Sequence, residues 1–482
     1  MKRSTKTERV QFDPLMAIGS VDGRYWQKTR ELRPIFSEFG LMRRRLEVEG
    51  EYLLALSEHK KIPVRTLRNN ETRLVENLHR NFDLKEAKLV QRIETKGWLK
   101  QGIKKTNHDV NAIVRYIKWK LQRTSLSKEV EWTHFALTSE DVTNLAIALM
   151  LSNGLEQVIL PTLDKISEQL GEFAEQHAAL ALLALTHCQP ASPTTLGKEF
   201  QLAKSRLDRQ RNRLWECKIL AKLNGASGNY GAHVKALPHI NWIAFTQGFV
   251  RQLNQGRVVK LKPCLLTNQT IPHETYSELF SVLMIANTVL IKFCRDMWYY
   301  IGRDWIVQQA EGDGSSAMPN KVNPLDFENA EGNLLTANAL FEFFSRELPL
   351  QRLQRHLSDS TIIRNFGYAF GLSLIAYKAI IKGLTKISAN PAKITEDLEA
   401  HPEVISEAIQ IILRREKVSG AYDKLKDLTQ GKKVTMELLH GFIDSLTGTV
   451  KRGVIKELKA LRPSNYTGLA AVLAKLPPER PV

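Results

Sequence analysis

Cysteine is scarce in this chain: Cys188, Cys217, Cys264 and Cys294 are the only four in 482 residues, and no two form a CxxC pair. That spacing excludes a zinc site built on paired thiolates and a secreted disulfide scaffold, and predicts a reducing, cytoplasmic setting. HxH and HExxH patterns are missing as well, so no metal-ligand cluster is expected. The longest strongly apolar run, Ala178 to Leu185, falls far short of the ~20 residues that span a bilayer, so no membrane span is expected. The opening MKRSTKTERV has no apolar stretch after its basic residues and is expected to be a solvated tail rather than a secretory signal. Glycine (27) and proline (18) are near average, which excludes a large low-complexity region, and no repeat recurs at a solenoid period. Acid is also in short supply: 51 Asp and Glu stand against 69 Lys and Arg, a net charge of +18. Such a balance favours anionic partners, whether nucleic acid, acidic membrane surfaces or small phosphorylated and carboxylated molecules, and by itself selects none of them.

What the chain does have is helical periodicity. Val142, Leu145, Ala146, Leu149 and Met150 recur at the spacing of one apolar helix face. Thr138 and Asp141, just upstream, match a capping box, in which hydroxyl and carboxylate satisfy orphan amides. A second helix is expected to start at Pro161, with Ile159, Leu163, Ile166, Leu170 and Phe173 alternating steps of four and three. A third runs through Leu279, Val282, Ala286, Val289, Phe293 and Met297. These segments predict an all-α protein built on a bundle of long helices. Arg257–Leu266 is the one candidate for a short strand or hairpin. Trp98, Trp132, Met297 and Trp298 read as packing residues. The charged stretch Arg123–Val130 and the helix breakers Asn390-Pro391 and His401-Pro402 place domain cuts near 127 and 385, giving segments 1–127, 128–385 and 386–482.

The most informative stretch is Gly312 to Pro324, GDGSSAMPNKVNP. Glycines flanking two serines, then Met-Pro, cannot continue a helix and read as a loop able to close over a ligand. Lys321 supplies positive charge at its far end. A serine is a poor base unless a desolvated site with amides or a cation stabilises its alkoxide. On physical grounds alone a glycine-serine linker remains the competing reading.

That loop resembles the GSSxMPxKxNP loop of the fumarase/aspartase superfamily, whose members eliminate fumarate from succinyl-type substrates. A narrower resemblance, covering nearly the whole chain, is to the adenylosuccinate lyase family. It rests on Val21-Asp22-Gly23-Arg24-Tyr25, Thr106-Asn107-His108-Asp109-Val110, Thr138-Ser139-Glu140-Asp141 and Thr186-His187-Cys188-Gln189-Pro190. Asp359-Ser360-Thr361-Ile362-Ile363-Arg364-Asn365 and Tyr422-Asp423-Lys424-Leu425-Lys426 extend it.

The resemblance implies a three-domain fumarase/aspartase-like fold and a homotetramer whose active sites gather segments from three chains, without cofactor or metal. It implies release of fumarate from adenylosuccinate, giving AMP, and from SAICAR, giving AICAR. Breaking that C–N bond needs a base, stabilisation of a carbanion and an acid for the leaving nitrogen. The family pattern makes Ser315 the base and His187 the acid, suited because imidazole titrates near neutrality. Ser316 would bind a substrate carboxylate, while Lys321 and Asn323 would neutralise charge developing on it. Asn107, His108 and Asp109 would hold the substrate, with His108 also assisting the acid. Arg24, Tyr25, Arg355, Ser360 and Arg364 would grip phosphate and carboxylates, for which the planar guanidinium fork is suited. Thr138, Ser139 and Gln269 add contacts, and Glu328 would orient His187.

Two positions depart from the family pattern. Cys188 stands where glycine normally follows the histidine, and a Cβ there would strain a left-handed backbone by about 1 kcal/mol. Asn320 replaces a histidine or aromatic. The alternatives to an active adenylosuccinate lyase are a sister eliminase, such as an argininosuccinate lyase, and a catalytically impaired lyase-like scaffold that uses its basic charge to bind nucleic acid.

Overall fold

A computed structural model describes residues 13–311, 318, 321–431 and 433–477. Among the described residues the fold is all-α apart from three two-stranded ribbons. Two compact units divide the described residues. The first takes those of Met1–Leu163, Gln210–Asn287 and Asn333–Lys378; the second takes those of Asp164–Arg209, Thr288–Gly332 and Ala379–Val482.

In the first unit, helices Glu38–Glu58, Asn69–Arg80, Leu84–Thr95 and Asp109–Leu121 share one core that includes Leu46, Leu53, Val75, Val90, Ile93, Ile113 and Ile117. Ser37 and Asp83 start two of these helices by accepting from first-turn amides, as short polar side chains do at N-caps. Trp98 and Trp132 pack against the edge of this core, as expected. Helix Ser139–Gly154 opens on the expected Thr138/Asp141 capping box, with the Thr138 amide donating to the Asp141 carboxylate at 2.9 Å. Its expected apolar face is buried, but so are Ile147, Ala148, Leu151 and Ser152 on the other sides. A helix covered all round has no polar face to display. Further along the unit, Phe280 meets Phe341, Phe344, Phe366 and Phe370 at ring-centroid distances of 4.8 to 6.5 Å. Each such ring adds about 0.5–1.5 kcal/mol beyond the area it buries. Buried Asn287 donates to Asn338 and Ser373 and accepts from Tyr377, so its amide is satisfied within the core.

Three sequence expectations need correction. Pro161 does not start a helix: Ser139–Gly154 continues through a π-turn, Leu155–Ile159, into Leu160–Gln176. The Leu160 amide reaches back five residues to Leu155, and the widened turn accommodates a proline that lacks a donor and crowds the preceding turn. Arg257–Leu266 does contain a strand, Lys260–Pro263, but it forms no hairpin. It pairs in parallel with the distant Lys218–Ala221. Trp298 is 57% exposed whereas Met297 is buried: neighbours on a helix point about 100° apart, and here the core side is the one that carries Phe293, Cys294 and Met297.

Two helical runs, Ser139–Gln176 and Glu274–Gly302, are long and apolar enough to cross a membrane by length and composition alone. Uninterrupted apolar runs miss them because their windows tolerate scattered polar residues. Of those windows, 78% and 61% is buried inside the fold, so their apolar character is accounted for by core packing.

In the second unit, Phe173 stacks on Phe200, which meets Phe293 edge-on, and Phe293 meets Phe327. Asp208 is held by Ser167 and Lys204. Strands β1 (Ala181–Thr186) and β2 (Gln189–Thr195) form an antiparallel hairpin. A short antiparallel ribbon, Ile306–Gln308 with Ile387–Ala389, lies beside the Asp397 carboxylate, which accepts from Trp305 and Arg303 at 2.8 and 3.1 Å.

Candidate active site

The first unit brings most of the expected binding residues into one hydrogen-bonded network. Asn107 adopts a left-handed backbone (φ +50°) and donates to the Glu94 carbonyl, turning the chain into helix Asp109–Leu121. His108 is the N-cap of that helix: Nδ1 accepts from the Asn111 amide at 3.4 Å. An accepting Nδ1 leaves the neutral ring's proton on Nε2, which lies 3.4 Å from Ser139 Oγ. The half-exposed imidazole therefore presents an N–H donor beside a hydroxyl, a pair suited to a carboxylate or a carbonyl oxygen.

Asp109 opens the same helix. Its Oδ2 sits between Arg45 Nη2 (2.9 Å) and Arg364 Nη2 (3.1 Å), and Arg364 Nη1 also donates to Ser360 Oγ at 2.6 Å. Burial pushes the Asp109 carboxyl up, but the two guanidiniums and the Val110 amide outweigh it and hold it below the ordinary range. Asp109 is thus an ionised strut that steadies Arg364. Arg45 and Arg364 also line a small cavity of about 90 Å³ with Ser37, Thr143, Glu140 and Ser360.

A second cluster gathers on Arg355. Its Nη1 donates to Glu140 Oε2 at 2.8 Å and to Gln269 Oε1 at 3.4 Å. The Thr138-Ser139 turn is pinned from behind by Asp141, which is fully buried. Its carboxylate accepts from Lys222 Nζ at 2.7 Å and from the Thr138, Asn224 and Gly225 amides at 2.9 to 3.1 Å. Arg24 is exposed and Tyr25 half-buried on the turn that precedes helix Glu38–Glu58.

In the second unit, His187 and Cys188 are the two central residues of the β1–β2 hairpin, with φ +53° and +61°. Two left-handed residues in a two-residue loop define a type I′ turn, which favours Asn-Gly. The departure noted at Cys188 therefore falls where glycine would be unstrained, yet the turn forms and both side chains are exposed. Cys188→Gly is expected to stabilise the chain by about 1 kcal/mol, read as a raised denaturant midpoint. A lowered midpoint would show that the Sγ contact to the Tyr299 hydroxyl, at 3.7 Å, outweighs the strain.

Lys321 and Asn323 lie in the irregular segment just before helix Leu325–Glu347, and Lys321 is exposed. Glu328 is exposed in that helix's first turn, and no hydrogen bond joins it to His187 in this structure. Ser315, Ser316 and Asn320 lie outside the described residues.

Sequence reasoning missed Arg45, Glu140 and Lys222. Glu140 sat unremarked beside Thr138 and Ser139 in a motif already singled out. Arg45 ends the run Arg43-Arg44-Arg45, which reads as a solvated helix face, and Lys222 has no local signal at all.

A family model described as "Lyase" matches residues 23–338, and one described as "Adenylosuccinate lyase C-terminal" matches 351–467. The chain is 43% identical to an adenylosuccinate lyase of Legionella pneumophila (strain Corby), covering 96% of this chain and 98% of that one. It is 40% identical to the adenylosuccinate lyase of Haemophilus influenzae (97% and 99% covered) and 39% identical to that of Escherichia coli K12 (96% and 99%). Among solved structures, 3-carboxy-cis,cis-muconate lactonizing enzyme from Pseudomonas putida superposes with a TM-score of 0.69 at 19% identity, covering 92% of this chain and 94% of that one. Fumarate lyase from Mesorhizobium sp. BNC1 superposes with a TM-score of 0.70 at 17% identity, covering 93% and 96%. At such identities these two structures establish the shared fold, while relatives aligned almost end to end place this chain in the adenylosuccinate lyase family.

Proposed function

We propose that this protein eliminates fumarate from adenylosuccinate, leaving AMP, and from SAICAR, leaving AICAR. The observation that carries the proposal is the network in the first unit. It holds Arg355 together with an arginine (Arg364), a histidine N–H and two hydroxyls from the family's motif segments, the donor set a phosphorylated dicarboxylate requires.

In this reaction Ser315 Oγ, as alkoxide, takes the proton from the carbon next to the leaving nitrogen's carbon. The electron pair spreads onto the adjacent carboxylate, where Ser316, Lys321 and Asn323 offset the charge. The C–N bond then breaks, the double bond of fumarate forms, and His187 supplies a proton to the departing nitrogen. His108 donates from Nε2, with Ser139, Thr138, Asn107 and Gln269 orienting the substrate. Arg355, Arg364, Ser360, Arg24 and Tyr25 bind its anionic groups. Asp109 acts through Arg364, and Glu328 acts near His187. The three segments 1–127, 128–385 and 386–482, a homotetramer with shared sites and a cytoplasmic location belong to the same proposal. The net charge of +18 draws in the anionic substrate and requires no nucleic-acid partner.

The test is fumarate release from succinyl-AMP by the purified protein, with its assembly measured by light scattering. Turnover is expected, and dialysis against EDTA should leave it unchanged, because every charge in the reaction is met by a side chain. A folded, assembled protein that releases no fumarate would remove the proposal.

A further inference from the structure

Glu140 belongs to none of the roles assigned above, yet it is a buried carboxylate in contact with a substrate-binding arginine. It sits in the first turn of helix Ser139–Gly154 with its side chain 7% exposed, and Oε2 is 2.8 Å from Arg355 Nη1. The same Nη1 points at Gln269 Oε1 at 3.4 Å. Gln269 has no freedom to turn its amide over, because Nε2 donates to the Ala226 carbonyl at 3.1 Å. One nitrogen of the guanidinium is therefore gripped by acceptors from two separate segments. Among the described residues Nε and Nη2 have no acceptor, and the Arg355 side chain remains a quarter exposed.

We propose that Glu140 is a positioning residue for Arg355. With Gln269 it locks the inner nitrogen of the fork, so that the outer nitrogens face a carboxylate or phosphate of the substrate. An unanchored arginine must lose its rotamer freedom when the anion arrives; one held in advance has already done so. The inference rests on the proposed function, in which Arg355 contacts substrate.

The energetics separate positioning from mere packing. Arg355, Lys222, Asp359 and Tyr276 all face Glu140, Arg355 and Lys222 with favourable charge and Asp359 with opposing charge. Burial dominates, then Arg355 pulls down and Asp359 pushes up, and the Glu140 carboxyl is pushed up to about 7. A raised carboxyl contributes stability below its unfolded value near 4.5 and loses it as pH climbs through 7. At pH 8 the ionised group is thus a liability to the fold, which a residue kept only for packing would not be.

The experiment compares Glu140→Ala and Glu140→Gln with the parent enzyme by fumarate release from succinyl-AMP and by thermal melting at pH 8. Glu140→Ala is expected to raise KM on the order of tenfold with kcat within about threefold, as loss of ground-state binding does. Glu140→Gln, whose amide oxygen still accepts from Nη1, should recover most of that KM and melt at or above the parent at pH 8. An unchanged KM in Glu140→Ala overturns the inference. So does a KM raised equally in both variants, or a melting temperature at pH 8 that falls in Glu140→Gln. No fumarate from the parent would instead remove the proposed function, and this inference with it.

Discussion

Asparagine at His187 or alanine at Ser315 is expected to lower kcat by about two to four orders of magnitude, the usual size of a general acid or base contribution. The choice of asparagine follows from the backbone. His187 occupies a left-handed turn position at φ +53°, which asparagine adopts more readily than alanine. His187→Asn should therefore keep or slightly raise the melting temperature while removing the acid, so a loss of turnover could not be laid to a broken hairpin. KM for succinyl-AMP should move little in either variant, because both residues act on bonds that change only in the transition state. The double variant should fall about as far as the worse single one, since acid and base serve one step. Turnover within about tenfold of the parent in either single variant would contradict the assigned chemistry.

The second large effect is on stability. Lys222→Met is expected to cost about 3–5 kcal/mol, the penalty for leaving a buried carboxylate without its counter-ion. Lys222 and Asp141 are both fully buried, with Nζ 2.7 Å from Oδ1, and Lys222 also donates to the Gly225 carbonyl at 3.0 Å. Methionine matches the stem and removes the charge, so packing is largely spared. The damage should reach the site as well, because the Asp141 carboxylate is what holds the Thr138 amide and the 224–225 turn together. Adding Asp141→Asn should restore part of the loss, since a neutral amide leaves no orphaned charge. Urea denaturation of the single and double variants measures both; a loss under about 1 kcal/mol in Lys222→Met would show that the pair is dispensable.

The sequence carried a large part of this molecule in local terms. The capping box at Thr138 and Asp141 and the apolar steps through Leu279–Met297 depend on neighbours within a few turns, and they appear as expected. So does the strain at Cys188, because a two-residue turn between strands leaves few backbone options. Motif segments also announced which side chains to look for, since their spacing on the chain is itself the signal.

Contacts that join distant segments were illegible. Arg45 reads as part of a charged helix face until helix Glu38–Glu58 carries it to Asp109 and Thr143. Glu140 gains its meaning from Arg355, 215 residues away, and Lys222 from Asp141, 81 residues away. The strand Lys260–Pro263 is foreshadowed by its residues, but its parallel partner is not. Local chemistry sets how a segment folds, because dihedral preference, capping and periodicity act over a few ångströms. Which buried charge meets which, and hence how the arginines are held, was decided by the packing of whole helices, where desolvation makes each pairing obligatory.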